Sequence, residues 1–510
     1  MEPRQAGSSR EPVTAAAGRP QRVTGRTARY GAVAAACPLA VEAGLEILSA
    51  GGGAVDAAIA AQAMIAVVDP AAAGPGGDVL ALVRSGGSAV EAIAGTGCTP
   101  AVVPTHGWAT TGGRSLTVPG LVDGWLTLHE RNGILPLADV LAPAVQVARD
   151  GYVLDARLVA SVQAHRTRLL TGGAREWPLL SLEVGERWRQ PELARLLEQI
   201  AASGRDAFYD GAIGRALVAA SALDGGALSL DDLAAHKTLI AEPVGVDWAG
   251  LRVWVQPPPS QAVLLAMVLA ELEQRRVDGD PAADDHLLIE LTGAAFEYRA
   301  DALRGAALVG TPLATTETAA TRARGPRSYL HTAGVAVADR SGCVVSSLVS
   351  VFDDFGSGVF VPAGGFVLNN RAGGFTDGAN AAAPAKRPVH TLSPVLVQDG
   401  EDLTALATPG ADGQVQTLLQ VLTRQHTGGA SLAQALRAPR WRSQDGTLLI
   451  ESGHRSTEVL ESRGHRVRER PAGEDLFGAV VAAGVGCEPD GTMVPHAETD
   501  GRRNTAAGVR

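Results

Sequence analysis

Cysteine is scarce and scattered: Cys37, Cys98, Cys343 and Cys487 never form a CxxC pair. Thiols spaced this way build neither a zinc site nor a disulfide framework, and they fit a reducing compartment. Lysine is scarcer still. Lys237 and Lys386 stand alone among arginines, a bias that, beside abundant Ala and Gly, reflects GC-rich coding and not chemistry. Basic residues total 44 and acidic ones 54, a net charge of −10, which excludes the large basic footprint of a nucleic-acid binder. Long apolar runs are missing as well. The longest, Ala57 to Val68, is interrupted by Gln62 and closed by Asp69-Pro70, too short to span a bilayer. Residues 1–27 are Arg-rich, polar and Pro/Gly-dotted, with no apolar h-region. They read as a disordered tail without a secretory signal, so the expected location is the cytoplasm, with no membrane partner.

What is present suffices for a large core: 510 residues, 46% of them hydrophobic. Pro38 to Leu48 has the apolar spacing of a helix, stopped by Gly51-Gly52-Gly53. Val55 to Val68 reads as a second helix buried on all faces, and Val79 to Val83 as a buried strand after the Gly74-Pro75-Gly76-Gly77 loop. Helical patterns then predominate from Leu121 to about Arg304, including Pro191 to Ala202 and Ser260 to Glu273. Near Ser328 the character changes. Ala333 to Ala338, Val344 to Val351, Val359 to Val361, Gly365 to Leu368 and Val395 to Gln398 are short β-rich runs, and Gln414 to Arg424 is helical again. This order suits a layered α/β sandwich better than regular βαβ winding.

Common catalytic motifs are absent: no HExxH, no Walker loop and no GxSxG elbow. Gly51-Gly52-Gly53 lacks GxGxxG spacing and a preceding strand, so it is a poor dinucleotide loop. Paired acids at Asp231-Asp232, Asp284-Asp285 and Asp353-Asp354 read as caps or turns.

Segments spread over residues 30–505 carry more. They are Gly52-Gly53-Ala54-Val55-Asp56-Ala57-Ala58, Asp69-Pro70 with Gly74-Pro75-Gly76-Gly77, Val118-Pro119-Gly120 with Gly124, and Leu141-Ala142-Pro143-Ala144. Gln256-Pro257-Pro258-Pro259-Ser260, Phe355-Gly356-Ser357-Gly358, Leu368-Asn369-Asn370, Arg387-Pro388 with Ser393-Pro394, and Thr408-Pro409-Gly410 follow. In this order they resemble the γ-glutamyltransferase (γ-glutamyltranspeptidase) family of N-terminal-nucleophile hydrolases. The resemblance implies an α/β (α+β) fold, a four-layer αββα sandwich. It also implies a proenzyme that cleaves itself before a Thr, which then serves as nucleophile and, through its α-amino group, as base. In the family that Thr opens the strand leading into an Asp-x-x-Gly turn. Here the turn is Asp339-Arg340-Ser341-Gly342, and counting back places the cleavage between His331 and Thr332. A freed α-amino group, with a pKa near ~8, suits proton removal from a hydroxyl. Residues 28–331 would form the large subunit and 332–510 the small one, both contributing to one sandwich. Ser350 aligns with the hydroxyl that partners the nucleophile. Gly410 and Ala411 align with the glycine pair whose N–H groups form the oxyanion hole. No metal or organic cofactor is needed.

The acyl pocket departs from the family. Its carboxylate-reading Arg aligns with Thr96, its strand Asn with Phe352, and its paired serines with His390-Thr391. After Leu368-Asn369-Asn370 the family's amide and acids become Arg371-Ala372-Gly373-Gly374. Losing the carboxylate at Gly374 removes the counter-charge of a substrate ammonium. Arg371 adds a fork for a carboxylate, or else lies in a solvated loop. The expected substrate is therefore a small carboxylate-bearing metabolite without a free α-amino group near the scissile amide. A true γ-glutamyltransferase or glutathione hydrolase, a C–C or amide hydrolase of antibiotic biosynthesis, and a non-catalytic scaffold are the alternatives. Gly334, where relatives often carry His, speaks for the last.

Overall fold

The computed structural model describes residues 22–24, 29–275, 281–316, 319–320, 332–488 and 491–510. His331 and most of residues 1–27 lie outside them. Within the expected tail, Arg22–Thr24 is a strand paired with His496 to Glu498.

The strand Ala333–Asp339 shows how the layers arise from sequence. Its odd positions, Ala333, Val335 and Val337, pack with helices Pro38–Ser49 and Ala54–Val68 in one core cluster. Its even positions, Ala336 and Ala338, pack in a second cluster of mostly small residues, with Ala405, Ala407 and Ala483 of another sheet. Side chains alternate along a strand, so larger apolar groups meet the helices and small ones let the two sheets approach. Gly334 continues the small face. A Cβ there would lie 3.1 Å from Val481 and 3.2 Å from the Ala407 side chain. Its glycine thus has a packing reason, and a longer side chain would push the sheets apart.

The first sheet runs in the order Ala506–Val509, Gly31–Ala35, Ala333–Asp339, Val344–Ser350, Asp78–Arg84, Glu91–Gly95, Leu239–Ala241. The facing sheet runs Arg22–Thr24, Met493–Thr499, Val481–Cys487, Asp402–Ala407, Val395–Asp399, Leu251–Val255, Val244–Trp248. Every pairing within both is antiparallel. Helices Val263–Gln274, Pro281–Phe296 and Gly413–His426 cover the outer face of the second sheet. The result is the expected αββα sandwich, with both halves of the chain in each sheet.

The Asp339-Arg340-Ser341-Gly342 turn anchors this layer. Asp339 Oδ1 accepts the Ser341 N–H at 2.8 Å, and Oδ2 accepts the Ala54 N–H at 2.8 Å. The Ala333–Asp339 strand is thereby tied to the start of the buried Ala54–Val68 helix. Asp56 completes that terminus, accepting the Gly53 N–H at 3.1 Å. The Gly51-Gly52-Gly53 segment is a helix entry. Among the described residues no helix is long and apolar enough to cross a membrane.

Candidate active site

Register places the expected residues in one row. Ala333 pairs with Val349, so Thr332 lies opposite Ser350. Ser350 pairs with Asp78, and Val79 pairs with Gly95, which sets Thr96 beside Asp78. All four share the parity of Ala336, Leu348, Leu80 and Ala94, which point between the sheets. At ~4.8 Å per strand, Asp78 is about 10 Å along the row from Thr332.

Thr332 is buried, and its Oγ1 donates to Ser350 Oγ at 3.3 Å. Ser350 Oγ also accepts the Phe352 N–H at 2.9 Å, which folds the chain back after the strand. Phe352 sits at φ 84°, a left-handed backbone unusual for a bulky residue.

The loop after the facing strand Asp402–Ala407 carries Thr408-Pro409-Gly410-Ala411. Gly410 has φ 129° and Ala411 φ 51°, so alanine has kept the left-handed turn at the second position. Arg442 Nη2 donates to the Gly410 carbonyl at 3.0 Å, and Gln261 Nε2 to that of Ala411 at 3.3 Å. Arg299 Nε donates to Asp412 Oδ1 at 3.0 Å. In a trans peptide C=O and N–H point oppositely, so anchoring the Gly410 carbonyl aims the Ala411 N–H the other way. The following helix, Gly413–His426, adds the positive end of its dipole to the loop.

Asp78, which was not among the pocket positions expected from sequence, gathers two that were, Arg371 and His390. Asp78 Oδ2 accepts from Arg371 Nε at 3.0 Å and from His390 Nε2 at 3.3 Å. All three side chains are fully buried, so the solvated-loop reading of Arg371 is corrected. His390 Nδ1 accepts the Leu392 N–H at 3.2 Å, which leaves the ring proton on Nε2, facing Asp78. Burial and the Arg371 charge push His390 down to about 4, keeping it neutral near pH 7. Burial works to raise Asp78, but the hydrogen bond from His390 and the Arg371 charge outweigh it and hold the carboxyl below its ordinary value.

The Arg371 guanidinium lies 4.5 Å over the Phe352 ring. A Cβ at Gly373 would be 3.4 Å from that ring and one at Gly374 3.6 Å. The aromatic ring thus occupies the space beside the positions where the family has acids, and the replacements at Phe352 and Gly374 fit one another. Thr96 and Thr391 are buried with hydroxyls that have no hydrogen-bond partner. Asn369 and Asn370 act as braces. Asn369 donates to Gly76 O at 3.0 Å and accepts the Arg371 N–H at 3.0 Å, while Asn370 donates to Asp353 at 2.7 Å. The sequence signal for Asp78 was an acid opening an otherwise apolar buried strand, a charge that demands a partner.

Known proteins agree with this architecture. The gamma-glutamyltranspeptidase family model matches residues 40–509. The chain is 32% identical over 457 residues to the oxamate amidohydrolase proenzyme of Klebsiella pneumoniae, covering 81% of this chain and 85% of that protein. It is 27% identical over 525 residues to the glutathione hydrolase proenzyme of Escherichia coli, covering 91% and 90%. The solved cephalosporin acylase from Bacillus halodurans superimposes with a TM-score of 0.84 at 28% identity, over 98% of this chain and 99% of that one. The chain belongs to the gamma-glutamyltranspeptidase family and is an enzyme of it.

Proposed function

We propose that the protein is a self-processed N-terminal-nucleophile amidohydrolase or acyltransferase, acting on a small carboxylate-bearing amide through an acyl-enzyme on Thr332. The observation that carries this reading is the row itself: the hydroxyl pair Thr332 and Ser350 and, one strand further along, Asp78 holding the buried Arg371. In the precursor, Thr332 Oγ attacks the His331 carbonyl, the C–N bond breaks, and water resolves the ester. This divides the chain after His331, with residues 28–331 as the large-subunit region and 332–510 as the small subunit of one sandwich. In turnover, Oγ attacks the substrate carbonyl and passes its proton to the Thr332 α-amino group. The N–H groups of Gly410 and Ala411 hold the oxyanion, the proton goes to the leaving amine, and water or an amine takes the acyl group. The four free thiols support a reducing, cytoplasmic setting.

The relatives' names span oxamate amidohydrolase, acylase and glutathione hydrolase. Glycine at 374 and the neutral Thr96 favour the first two, since a γ-glutamyl ammonium would lack the family's acid at 374 and its α-carboxylate the family's Arg at 96. The test is a panel of anilides on the processed enzyme. Glutaryl or oxalyl anilides are expected to exceed γ-glutamyl anilide in kcat/KM, and a γ-glutamyl anilide far ahead of the others would contradict the reading.

A further inference from the structure

Two other buried arginines among the described residues, Arg440 and Arg502, have both outer nitrogens satisfied. Arg440 donates from Nη1 to Phe477 O and from Nη2 to Leu436 O, each at 3.0 Å, while also facing Asp500. Arg502 donates from Nη1 to Leu436 O at 3.0 Å and from Nη2 to Glu451 Oε2 at 2.7 Å. These pairings close an arginine into the fold. Arg371 differs. It is as buried as Arg440, yet only Nε is bound, to Asp78 Oδ2, and both Nη1 and Nη2 lack an acceptor. Unsatisfied donors on a buried cation are costly, so a pair built for stability alone would not leave them open.

The surroundings fix the guanidinium in direction as well as in place. Asp78 grips the Nε corner, and His390, set in one tautomer by the Leu392 N–H, shares the same carboxylate oxygen. The Phe352 ring covers one face of the guanidinium plane. What is left is the Nη1/Nη2 edge, the geometry that takes a carboxylate through two parallel hydrogen bonds. We propose that Asp78 is a positioning residue, holding Arg371 through Nε so that Nη1 and Nη2 form a preset fork for the carboxylate of the acyl group. This rests on the carboxylate-bearing substrate proposed above, and adds which residue sets the preference. A free arginine side chain would have to be ordered at each binding event, whereas one clamped at Nε is ordered in advance.

The experiment compares kcat/KM for glutaryl-p-nitroanilide with that for pentanoyl-p-nitroanilide, which has a similar acyl chain without the carboxylate. The ratio is measured for processed wild type, Asp78→Asn and Arg371→Gln. Wild type is expected to prefer the glutaryl compound. Both substitutions should reduce the ratio by about tenfold or more, through KM. If Arg371→Gln reduces the ratio and Asp78→Asn leaves it unchanged, the positioning role is overturned while the substrate reading stands. If wild type shows no preference, the substrate reading fails and the positioning role with it.

Arg371→Ala supplies a second measurement should Asp78→Asn not fold. Added methylguanidinium, able to occupy the Asp78 clamp and offer a fork, should restore glutaryl hydrolysis more than methylammonium does. Equal restoration by both ions, or by neither, would overturn the proposal.

Discussion

Replacing Gly410 by alanine separates backbone conformation from local space. Nothing lies closer to a Cβ at this position than Arg442 Nη1 at 3.6 Å, so the side chain itself fits. The conflict is the φ of 129°, which L-residues rarely adopt and which costs about 1–3 kcal/mol to impose. Relief comes by rotating the 410–411 peptide, which turns the Ala411 N–H away from the oxyanion. Losing one such donor lowers kcat by roughly 10²–10³-fold. Ala411→Gly is the control. Its φ of 51° suits glycine at least as well, the N–H is retained, and the relief of left-handed strain is offset by greater freedom in the unfolded chain. Stability should stay within about 1 kcal/mol of wild type and kcat within a few-fold. Steady-state turnover of the best anilide, the rate of fragment appearance and urea unfolding read these outcomes. A Gly410→Ala enzyme keeping more than roughly a tenth of kcat, or an Ala411→Gly enzyme equally impaired, would refute the assignment.

Ser350→Ala removes the partner of Thr332 and the acceptor of the buried Phe352 N–H. It should lower stability by about 1–3 kcal/mol and slow self-cleavage at least several-fold, while Ser350→Thr retains both. Fragment formation in the alanine variant at the wild-type rate would contradict this. Burial pushes His390 and His236 down to about 4 from an ordinary 6.5. The unfolded chain therefore takes up protons below pH 6.5 that the folded chain refuses until about 4. Stability is full above pH 6.5 and declines as the pH falls toward 4, by about 1.4 kcal/mol per unit for each such histidine. His390→Gln should lessen the difference between urea unfolding at pH 7 and pH 5, and an unchanged difference would show that His390 does not titrate this way.

The part of the fold with β-rich composition was the part that could be read in sequence: the runs Ala333 to Ala338 and Val344 to Val351 form the paired strands Ala333–Asp339 and Val344–Ser350. The long buried helix before Asp69 was likewise visible from its composition. Val244–Trp248 and Leu251–Val255 were hidden in a stretch that read as helical. They form a short hairpin, turned by Ala249 at φ 52° and Gly250 instead of a more recognisable Asn-Gly pair. The helix expected from Ser260 begins at Val263, because Ser260 Oγ is used on the Leu392 carbonyl at 2.6 Å.

In the site, the spacing back from the Asp339 turn is local, so sequence could single out Thr332 as the proposed nucleophile. Asp78 could not be matched with Arg371 and His390, since their meeting depends on how distant strands and loops close over one another. Gly334 illustrates the same limit: as a letter it argued for lost catalysis, whereas in the fold it lets Ala407 approach.

The most direct test of the account is the intact mass of the purified wild-type protein beside Thr332→Ala. The account predicts two wild-type fragments meeting between His331 and Thr332, the smaller beginning with Thr332, and one uncut chain in the variant. A single intact wild-type chain, a cut elsewhere, or cleavage that persists in Thr332→Ala would contradict it.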